Sequence, residues 1–234
     1  MANIIECNGI TQRYGDLYAL NNVHFSVPDK AGIVGLLGPN GSGKTTLIKI
    51  LTGLLTPTQG EARIAGYPIG VESKAIVSYL SDAHSLQNGY SVRQQIEFYQ
   101  DFFPDFNREK AEKMIGELDI NPMQKIGTLS KGTKEKVALV LTLSRNAKLY
   151  VLDEPIAGVD PAARDYILNT IIAYKAKDAT MLISTHLISE IEQFFDYVVF
   201  LRRGEIVLQG DAEAIRRGEN KSINELFREI FKWL

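Results

Sequence analysis

Cysteine is almost absent from this 234-residue chain, and long hydrophobic runs are missing. The single cysteine, Cys7, has no partner for an internal disulfide or a structural zinc site, so a reducing compartment fits best. Because Cys7 sits in the alternating stretch 3–10, we interpret it as a small apolar filler. The formal net charge of -2 gives no sign of a polyanionic partner, and no nucleic acid is expected.

The lack of long apolar stretches bears on the relation to a membrane. The most apolar segments, 31–38 and 137–143, fall far short of the ~20 residues that a spanning helix requires. Residues 1–6 show neither the basic start nor the apolar run of a signal peptide. With 45% hydrophobic and 23% charged residues, the composition is that of a globular domain. We expect a soluble or peripheral cytoplasmic protein that cannot itself form a channel.

The apolar patterns that are present predict an α/β fold. Two alternating segments, 3–11 and 19–27, flank Tyr14-Gly15-Asp16 and predict paired strands. The run 32–37 predicts a strand buried on both faces, and 45–55 has helical periodicity. The other predicted strands lie in 61–69, 75–80, 149–152, 180–184, 197–201 and 206–209. The other predicted helices begin at Ser91, after Asn107 and near Lys131, or cover 161–175, 187–196 and 222–234.

This order of elements predicts one domain over 1–234 with a mainly parallel core sheet. An antiparallel β-subdomain precedes the core, and a helical insert is expected at about 82–145. The insert carries an aromatic cluster whose helical spacing favours core packing, formed by Phe98, Tyr99, Phe102, Phe103 and Phe106. The amphipathic helix at about 222–234 either packs on its own domain or a dimer mate, or lies on a membrane surface.

The strongest local motif is a complete phosphate-binding loop. It reads Gly38-Pro39-Asn40-Gly41-Ser42-Gly43-Lys44-Thr45, with Thr46 next, between a predicted buried strand and a predicted helix. Its glycines let successive N–H groups converge on phosphate oxygens at the positive end of the helix. Lys44 suits the β- and γ-phosphates, and the Thr45 hydroxyl suits Mg²⁺.

A second motif places two carboxylates at the end of an apolar strand. The segment Leu149-Tyr150-Val151-Leu152 leads directly into Asp153 and Glu154. Asp153 suits a second contact with Mg²⁺. Glu154, one residue further on, would point in a different direction from Asp153. It suits the general base that polarises the attacking water. Alone, the pair has an alternative as turn acids before Pro155, which the neighbouring phosphate loop makes less attractive.

The order of the motifs resembles that of the ABC ATPase family over nearly the whole chain. After the phosphate loop come, in order, Leu129-Ser130-Lys131-Gly132-Thr133, Leu152-Asp153-Glu154-Pro155, Ala157-Gly158-Val159-Asp160 and Ser184-Thr185-His186. The family's signature motif is Leu-Ser-Gly-Gly-Gln, in which Lys131 here replaces a glycine and Thr133 the glutamine. The resemblance implies a P-loop NTPase of ABC type that binds ATP and Mg²⁺ and hydrolyses ATP.

The resemblance also implies roles for single residues. Ser130 and Gly132 would contact the ATP of a second ABC ATPase subunit, in a homo- or heterodimer. Tyr14 stands where family members stack an aromatic ring on adenine, with Tyr18 as a nearby alternative. His186 resembles the switch histidine that touches the γ-phosphate and takes part in catalysis with Lys44.

Two more positions follow from the same resemblance. Asp82 stands where the family has its Q-loop glutamine, and it can hold Mg²⁺ through water. Its alternative is a helix cap or a turn residue. Asp160 matches the D-loop aspartate that couples the two sites of a dimer.

At the level of function, the resemblance implies a subunit that energises a membrane transporter through a separate transmembrane permease. Similarity to bacterial ABC-2-type exporter ATPases favours export of peptides, antibiotics or other small toxic molecules, from the inner face of the cell membrane. The aromatic rings of the insert would then contact the permease. The alternatives are a soluble ABC ATPase acting on a non-transport complex, and a regulatory module that binds nucleotide without hydrolysis. Intact Lys44, Glu154 and His186 argue against the last.

Overall fold

The computed structural model describes residues 2–81, 86–156, 161–176 and 178–232. Three predicted features therefore lie outside the described residues: Asp82, Asp160 with the segment before it, and the final pair Trp233 and Leu234. The ten strands in the described part are β1 (Asn3–Tyr14), β2 (Leu17–Pro28), β3 (Ile33–Leu37), β4 (Gln59–Ile64), β5 (Tyr67–Pro68), β6 (Val77–Leu80), β7 (Leu149–Asp153), β8 (Thr180–Thr185), β9 (Tyr197–Arg202) and β10 (Glu205–Asp211).

The nine α-helices of the same ranges are α1 (Lys44–Leu51), α2 (Val71–Ala75), α3 (Val92–Phe102), α4 (Arg108–Glu117), α5 (Lys131–Leu143), α6 (Pro161–Tyr174), α7 (Ile188–Ile191), α8 (Ala212–Glu219) and α9 (Ile223–Ile230). Short 3-10 turns occur at Ile126–Thr128 and Glu192–Phe194. Within these described segments, no helix combines the length and apolar character needed to cross a bilayer.

The core is a six-stranded sheet with the order β10-β9-β3-β8-β7-β6. All neighbouring strands from β9 to β6 are parallel, whereas β10 returns antiparallel to β9. A separate sheet, β2-β1-β4-β5, is antiparallel throughout. The predicted fold class is therefore confirmed. The register pairs Leu37 with Thr185 and Asp153 with Ser184, which brings the carboxyl ends of β3, β7 and β8 side by side.

The core strands are apolar because both of their faces are buried. Every residue of β3, β7 and β8 is buried. In β3, Val34 and Leu36 belong to the core shared with α1 and the antiparallel sheet, while Ile33 and Leu37 join the core on the opposite face. This alternation follows from the two-residue repeat of a strand. Cys7 lies in the first of these cores with 2% exposure, which confirms its role as an apolar filler.

Three helices, α3 to α5, lie between β6 and β7, in the range predicted for the helical insert. Each begins at the polar residue that the sequence marks as a cap. The Ser91 hydroxyl accepts the Gln94 N–H at 3.2 Å, and Gln94 Oε1 accepts the Ser91 N–H at 2.9 Å, which closes a capping box. Asn107 and Ser130 cap α4 and α5 in the same way through one side-chain oxygen each.

The structure corrects three local predictions. The helix predicted over 187–196 ends at Ile191, because Phe195 turns into the core and the Asp196 carboxylate accepts the Ile33 N–H at 2.8 Å. The strand predicted from Ala75 begins at Val77, since Ala75 ends α2. Neither α2 nor α8 was predicted. The 5-residue α2 is too short for an apolar period, and α8 has only one large apolar side chain, Ile215.

The C-terminal helix α9 packs on its own domain. Phe227 and Phe231 meet Phe200 of β9 with ring centroids 5.8 and 6.1 Å apart. Ile223 is fully buried and Leu226 is 7% exposed. In its described part, the apolar stripe thus packs on the chain's own domain, the first of the three positions considered for this helix, with Phe227, Ile230 and Phe231 half-buried.

Candidate functional site

The phosphate loop joins the buried end of β3 to the first turn of α1. Its curvature depends on glycine: Gly41 and Gly43 have φ angles of 78° and 108°, in a region that other residues rarely adopt. A Cβ on Gly38 would lie 2.4 Å from the Leu201 carbonyl oxygen. A Cβ on Gly43 would lie 2.5 Å from the Ala19 carbonyl oxygen. The loop therefore fits against β9 and β2 only with glycines at these positions.

The start of α1 is suited to an anion. Its cap, Gly43, has no side-chain capping bond, and the first turn contains no acidic residue. The first N–H groups of a helix lack intrahelical acceptors and carry a partial positive charge. In addition, the buried Ser42 hydroxyl has no hydrogen-bond partner among the described residues. An oxyanion seated in this loop would satisfy these donors, so the residues present fit a nucleotide phosphate.

Lys44 lies at the centre of the site with 6% exposure. Its Nζ donates to the carbonyls of Gly38 at 2.7 Å and Pro39 at 3.2 Å. The same atom lies 3.7 Å from Glu154 Oε1. Burial lowers the pKa of the Lys44 ammonium below its usual value, while the charges of Glu154 and Asp153 act in the opposite direction. The lysine is held inward, beside the base candidate, by bonds to the loop itself.

The two acids at the end of β7 are bound to β8. Asp153 is 3% exposed, and its Oδ1 accepts the Ser184 hydroxyl at 2.5 Å. The Glu154 N–H donates to Ser184 Oγ at 3.0 Å and lies 3.1 Å from the Ser184 carbonyl oxygen. Glu154 has a φ of 50°, a left-handed conformation that costs a side-chain-bearing residue about 1–3 kcal/mol. The sequence pattern indicates no role for Ser184, although its hydroxyl links the two acids.

His186 completes the cluster from the end of β8. Its Nδ1 lies 3.0 Å from Glu154 Oε2, while Lys44 approaches the other carboxylate oxygen. The His186 side chain is 41% exposed, in contrast to the buried Lys44. After it, the Leu187 N–H donates to Thr185 Oγ1 at 3.0 Å and turns the chain into α7. The structure thus brings together the three residues predicted to be catalytic.

A magnesium ion would be held by oxygen ligands from two elements. The fit rests on the exposed Thr45 in the first turn of α1 and on Asp153 at the end of β7, because Mg²⁺ prefers carboxylate and hydroxyl oxygens and retains water. Asp82, the third predicted metal residue, lies outside the described residues. Among the residues that are described, no group of three or more acidic, histidine or cysteine side chains forms a metal cluster.

The signature segment has its own local structure. The Ser130 hydroxyl accepts the Thr133 N–H at 3.2 Å and lies 2.8 Å from Thr133 Oγ1. Lys131 is 82% exposed and lies 3.8 Å from Glu135. A Cβ on Gly132 would meet nothing within 4 Å, so its backbone faces open space. The hydrogen bonds of Ser130 in the described part of the chain are all local, so none links it to the phosphate loop of its own chain.

Tyr14 and Tyr18 differ in what covers them. The Arg13 guanidinium lies 4.9 Å from the centroid of the Tyr18 ring. No such cation or ring contact is recorded for Tyr14 within the described segments, and 51% of its surface is exposed at the end of β1. This difference favours Tyr14 as the ring available for stacking.

The aromatic cluster of the insert divides into two parts. Tyr99 and Phe106 pack against the core, 5.9 Å apart. Phe98 and Phe102 stack at 6.0 Å and are 37% and 66% exposed. Tyr90 adds an edge contact to Phe98 at 6.2 Å. We call Tyr90, Phe98 and Phe102 the aromatic patch, and the core-packing prediction holds only for the inner rings.

Comparison with known proteins finds similarity over most of the chain. The profile of the ABC transporter family matches residues 20–157. Over 225 residues, the chain is 30% identical to "Nod factor export ATP-binding protein I" of Burkholderia orbicola (strain AU 1054), covering 92% of this chain and 73% of that protein. It is also 30% identical to "Probable multidrug ABC transporter ATP-binding protein YbhF" of Escherichia coli (strain K12), covering 91% of this chain and 38% of the relative's length.

A solved structure described as the "ATP binding subunit of ABC transporter" superimposes with a TM-score of 0.84 at 28% identity, covering 97% of this chain and 98% of that one. Fold and site define a P-loop nucleotide-binding domain. Together with the profile match, they show that this chain belongs to the ABC transporter family.

Proposed function

We propose that this chain binds and hydrolyses ATP as the energising subunit of a membrane transporter. The observation that carries the proposal is the meeting of Lys44, Glu154 and His186 beside the phosphate loop. Glu154 lies within 3.0 Å of the His186 imidazole and 3.7 Å of the Lys44 ammonium. A cation for the phosphates, a base for the attacking water and an imidazole that orients this base thus lie at one edge of the sheet.

The residue roles follow from the chemistry of phosphoryl transfer. The loop N–H groups, the Ser42 hydroxyl and Lys44 hold the phosphates, with Gly38, Pro39, Asn40, Gly41, Gly43, Thr45 and Thr46 shaping the cradle. Glu154 accepts a proton from the attacking water, and His186 orients the Glu154 carboxylate. Mg²⁺, held by Thr45 and Asp153, would neutralise charge on the phosphate oxygens.

The signature residues support a dimer of two such sites. Ser130 and Gly132 stand at the N-terminal end of the 13-residue helix α5, where phosphate is favoured. Since Ser130 makes only local hydrogen bonds in the described part of its own chain, its phosphate would belong to a facing ABC ATPase subunit. We also propose that Asp82 holds Mg²⁺ through water and that Asp160 couples the two ATP sites of the dimer.

The transport role rests on the family and on relatives. Two similar proteins are named for multidrug transport and Nod factor export. We infer an exporter of peptides, antibiotics or other small toxic molecules, in which a separate permease holds this subunit at the inner face of the cell membrane. The aromatic patch offers exposed rings of the kind that anchor protein interfaces.

The direct test is the variant Glu154→Gln. The amide keeps the size of the side chain but cannot accept the proton of water, so we expect turnover to fall at least ~100-fold, within the range for loss of a general base. Nucleotide affinity should change little, and the variant should form an ATP-dependent dimer. Phosphate release and size-exclusion chromatography with and without ATP measure the two effects.

Glu213→Gln is the matched control, because Glu213 is 57% exposed and pairs with Arg216 and Arg217 on α8. It should hydrolyse ATP at the wild-type rate. Unimpaired hydrolysis by Glu154→Gln would remove the general-base assignment. Absence of ATP turnover in the wild type, with or without a membrane partner, would remove the proposed activity.

A further inference from the structure

Resting on the proposed ATPase function, we propose that Ser184 is a positioning residue for hydrolysis. Its hydroxyl joins the two acids at the end of β7 and fixes the main chain of Glu154. Ser184 acts through Glu154 and Asp153, and it lies one strand away from the motif that carries those acids.

The contacts of Ser184 are those of a bridge between two carboxylate-bearing residues. Its side chain is fully buried. Oγ donates its proton to Asp153 Oδ1 at 2.5 Å and accepts the Glu154 N–H at 3.0 Å. A single hydroxyl can make both bonds because it is donor and acceptor at once. Alanine, glycine and valine lack both capacities, so an apolar residue at this point of β8 could not form the bridge.

The backbone of Glu154 needs this support. Its φ of 50° lies in the left-handed region, where the Cβ crowds the carbonyl oxygen. Pro155 follows and restricts the backbone of the residue before it further. The Glu154 N–H is shared by Ser184 Oγ at 3.0 Å and the Ser184 carbonyl at 3.1 Å. The hydroxyl is the half of this anchor that a side-chain substitution removes.

The anchored backbone determines where the Glu154 carboxylate lies. Rotation about φ at Glu154 would swing the Cα–Cβ bond and carry the carboxylate away from its partners. Those partners are His186 Nδ1 at 3.0 Å and Lys44 Nζ at 3.7 Å. Because β8 also supplies His186, this one strand holds Glu154 at its N–H and at its carboxylate.

A second buried serine separates positioning from general stability. Ser78 of β6 is 2% exposed, and its hydroxyl donates to the Thr142 carbonyl at 2.8 Å. Ser78→Ala removes a buried hydrogen bond from the same sheet without touching either acid. Loss of stability alone should therefore be similar in Ser78→Ala and Ser184→Ala.

The experiment compares Ser184→Ala, Ser184→Thr and Ser78→Ala in the full chain. We expect Ser184→Ala to lower kcat by about 10–100-fold, since a misplacement of about 1 Å can cost that much. The dissociation constant for a fluorescent ATP analogue should change by less than about 3-fold, because the phosphate loop is untouched. Ser184→Thr retains the hydroxyl and should recover most of kcat. Ser78→Ala should keep the wild-type kcat.

A crystal structure of Ser184→Ala supplies a readout that does not depend on turnover. Glu154 should leave the left-handed region, and its carboxylate should separate from His186 Nδ1 beyond hydrogen-bond distance. If Ser184→Ala does not fold, Ser184→Cys decides, because its thiol leaves no cavity but is a weaker donor and acceptor, so this variant should also lower kcat.

Wild-type kcat in Ser184→Ala, or an equal loss in Ser78→Ala, would overturn the assignment. If the wild type hydrolyses ATP and Glu154→Gln does not, either result removes Ser184 alone. If the wild type hydrolyses no ATP, the proposed function fails, and the crystal structure of Ser184→Ala still judges the positioning role.

Discussion

At the scale of single residues, the chain concentrates costly features at the ends of three buried strands. Lys44 and Asp153 are charged groups with 6% and 3% exposure, and Glu154 adopts a left-handed backbone. Buried charges and strained backbone lower stability unless neighbouring groups compensate. Here Lys44 bonds to the loop carbonyls and lies near Glu154, and Ser184 bonds to Asp153 and to the Glu154 backbone. Such a cluster of mutually compensating contacts is expected of a reaction site.

The predictability of these residues depended on their separation along the chain. Lys44 and Thr45 belong to a contiguous motif, and Glu154 directly follows Asp153, so their spacing alone indicated phosphate chemistry. Ser184 bonds to Asp153 across 31 positions. Pairing of β7 with β8 brings the two together, and strand pairing cannot be read from local pattern. The role of Ser184 was therefore not predicted from the sequence, although a role for the nearby His186 was.

The exposed ring of Tyr14 gives a prediction at this scale. Tyr14→Ala should weaken ATP binding by about 5–150-fold, because base stacking on an aromatic ring is worth ~1–3 kcal/mol. Tyr14→Phe should bind normally, since the ring face is kept. GTP binding should fall by the same factor as ATP binding, because stacking is indifferent to base identity. Fluorescence titrations with both nucleotides measure these changes.

Tyr18→Ala is the informative comparison, because Arg13 already covers that ring at 4.9 Å. Tyr67→Ala, 46% exposed on β5, reports the effect of losing a surface tyrosine elsewhere. A larger loss of affinity in Tyr18→Ala than in Tyr14→Ala would transfer the stacking role to Tyr18.

At the scale of elements, the end of α5 is tied to its surroundings more firmly than its start. The Arg145 guanidinium bonds to Asp105 at 2.9 and 3.0 Å and to the Val77 carbonyl at 2.9 Å. Lys110 Nζ donates to the carbonyl of Leu143, the last residue of α5, at 2.5 Å, and to that of Tyr174, the last residue of α6, at 3.0 Å. The helix that carries Ser130 is thus anchored at its far end.

The helices that the sequence predicts are those with a clear capping residue or a sufficiently long apolar pattern. Helices α3, α4 and α5 begin at Ser91, Asn107 and Ser130, each of which caps its helix with a side-chain oxygen. The 5-residue α2 offers too few turns for an apolar period, whereas the 8-residue α8 has only Ile215 as a large apolar side chain and so shows no apolar stripe. Long-range contacts such as that of Asp196 with Ile33 end α7 early, and local sequence does not reveal them.

The clamp made by Lys110 gives a prediction for pH. Lys110→Met should lower the free energy of unfolding at pH 7 by about 1–3 kcal/mol, because two helix-terminal carbonyls lose a charged donor. Burial lowers the pKa of Lys110 from its ordinary 10.5. Between the lowered value and 10.5, the unfolded chain binds more protons than the folded chain, so the contribution of Lys110 to stability rises with pH.

Urea unfolding of wild type and variant at pH 7 and pH 10 tests both parts. Lys113→Met is the control, because Lys113 lies on the same helix with 68% exposure and pairs with Glu117. It should change stability by less than about 0.5 kcal/mol. The difference in free energy of unfolding between wild type and Lys110→Met should therefore be larger at pH 10 than at pH 7. A smaller difference at pH 10 would show that the carbonyls stabilise the ammonium more than burial destabilises it.

At the scale of the whole molecule, the six-stranded sheet carries the candidate site where the carboxyl ends of β3, β7 and β8 lie side by side. The parallel strand order, with β3 between β8 and β9, brings distant motifs together. Sequence pattern predicted a parallel core and an antiparallel β-subdomain, because buried runs differ from alternating ones. The order of strands and the division of the aromatic cluster could not be predicted, since both depend on packing between elements far apart in sequence.

The aromatic patch leads to a prediction about assembly. Phe98 and Phe102 stack with 37% and 66% exposure, and exposed apolar surface of this kind marks contact sites. If the chain energises a permease, the tagged wild type should co-purify with a hydrophobic protein from detergent-solubilised membranes of its own cells. The double variant Phe98→Ser, Phe102→Ser should appear in the soluble fraction instead. Its basal ATP turnover should stay within about 2-fold of wild type, because both rings are on α3 and not at the ends of β3, β7 and β8 that carry the site.

The control removes an exposed apolar side chain from the edge of the core sheet opposite β6. Val207 lies on the edge strand β10 with 43% exposure, and Val207→Ser should remain with the membrane fraction. Retention of the double phenylalanine variant in membranes would place the permease contact elsewhere on the surface. If the wild type itself carries no membrane protein while hydrolysing ATP, the transport role fails and the ATPase assignment stands. The two halves of the proposed function are therefore separable, because the patch and the acids occupy different elements.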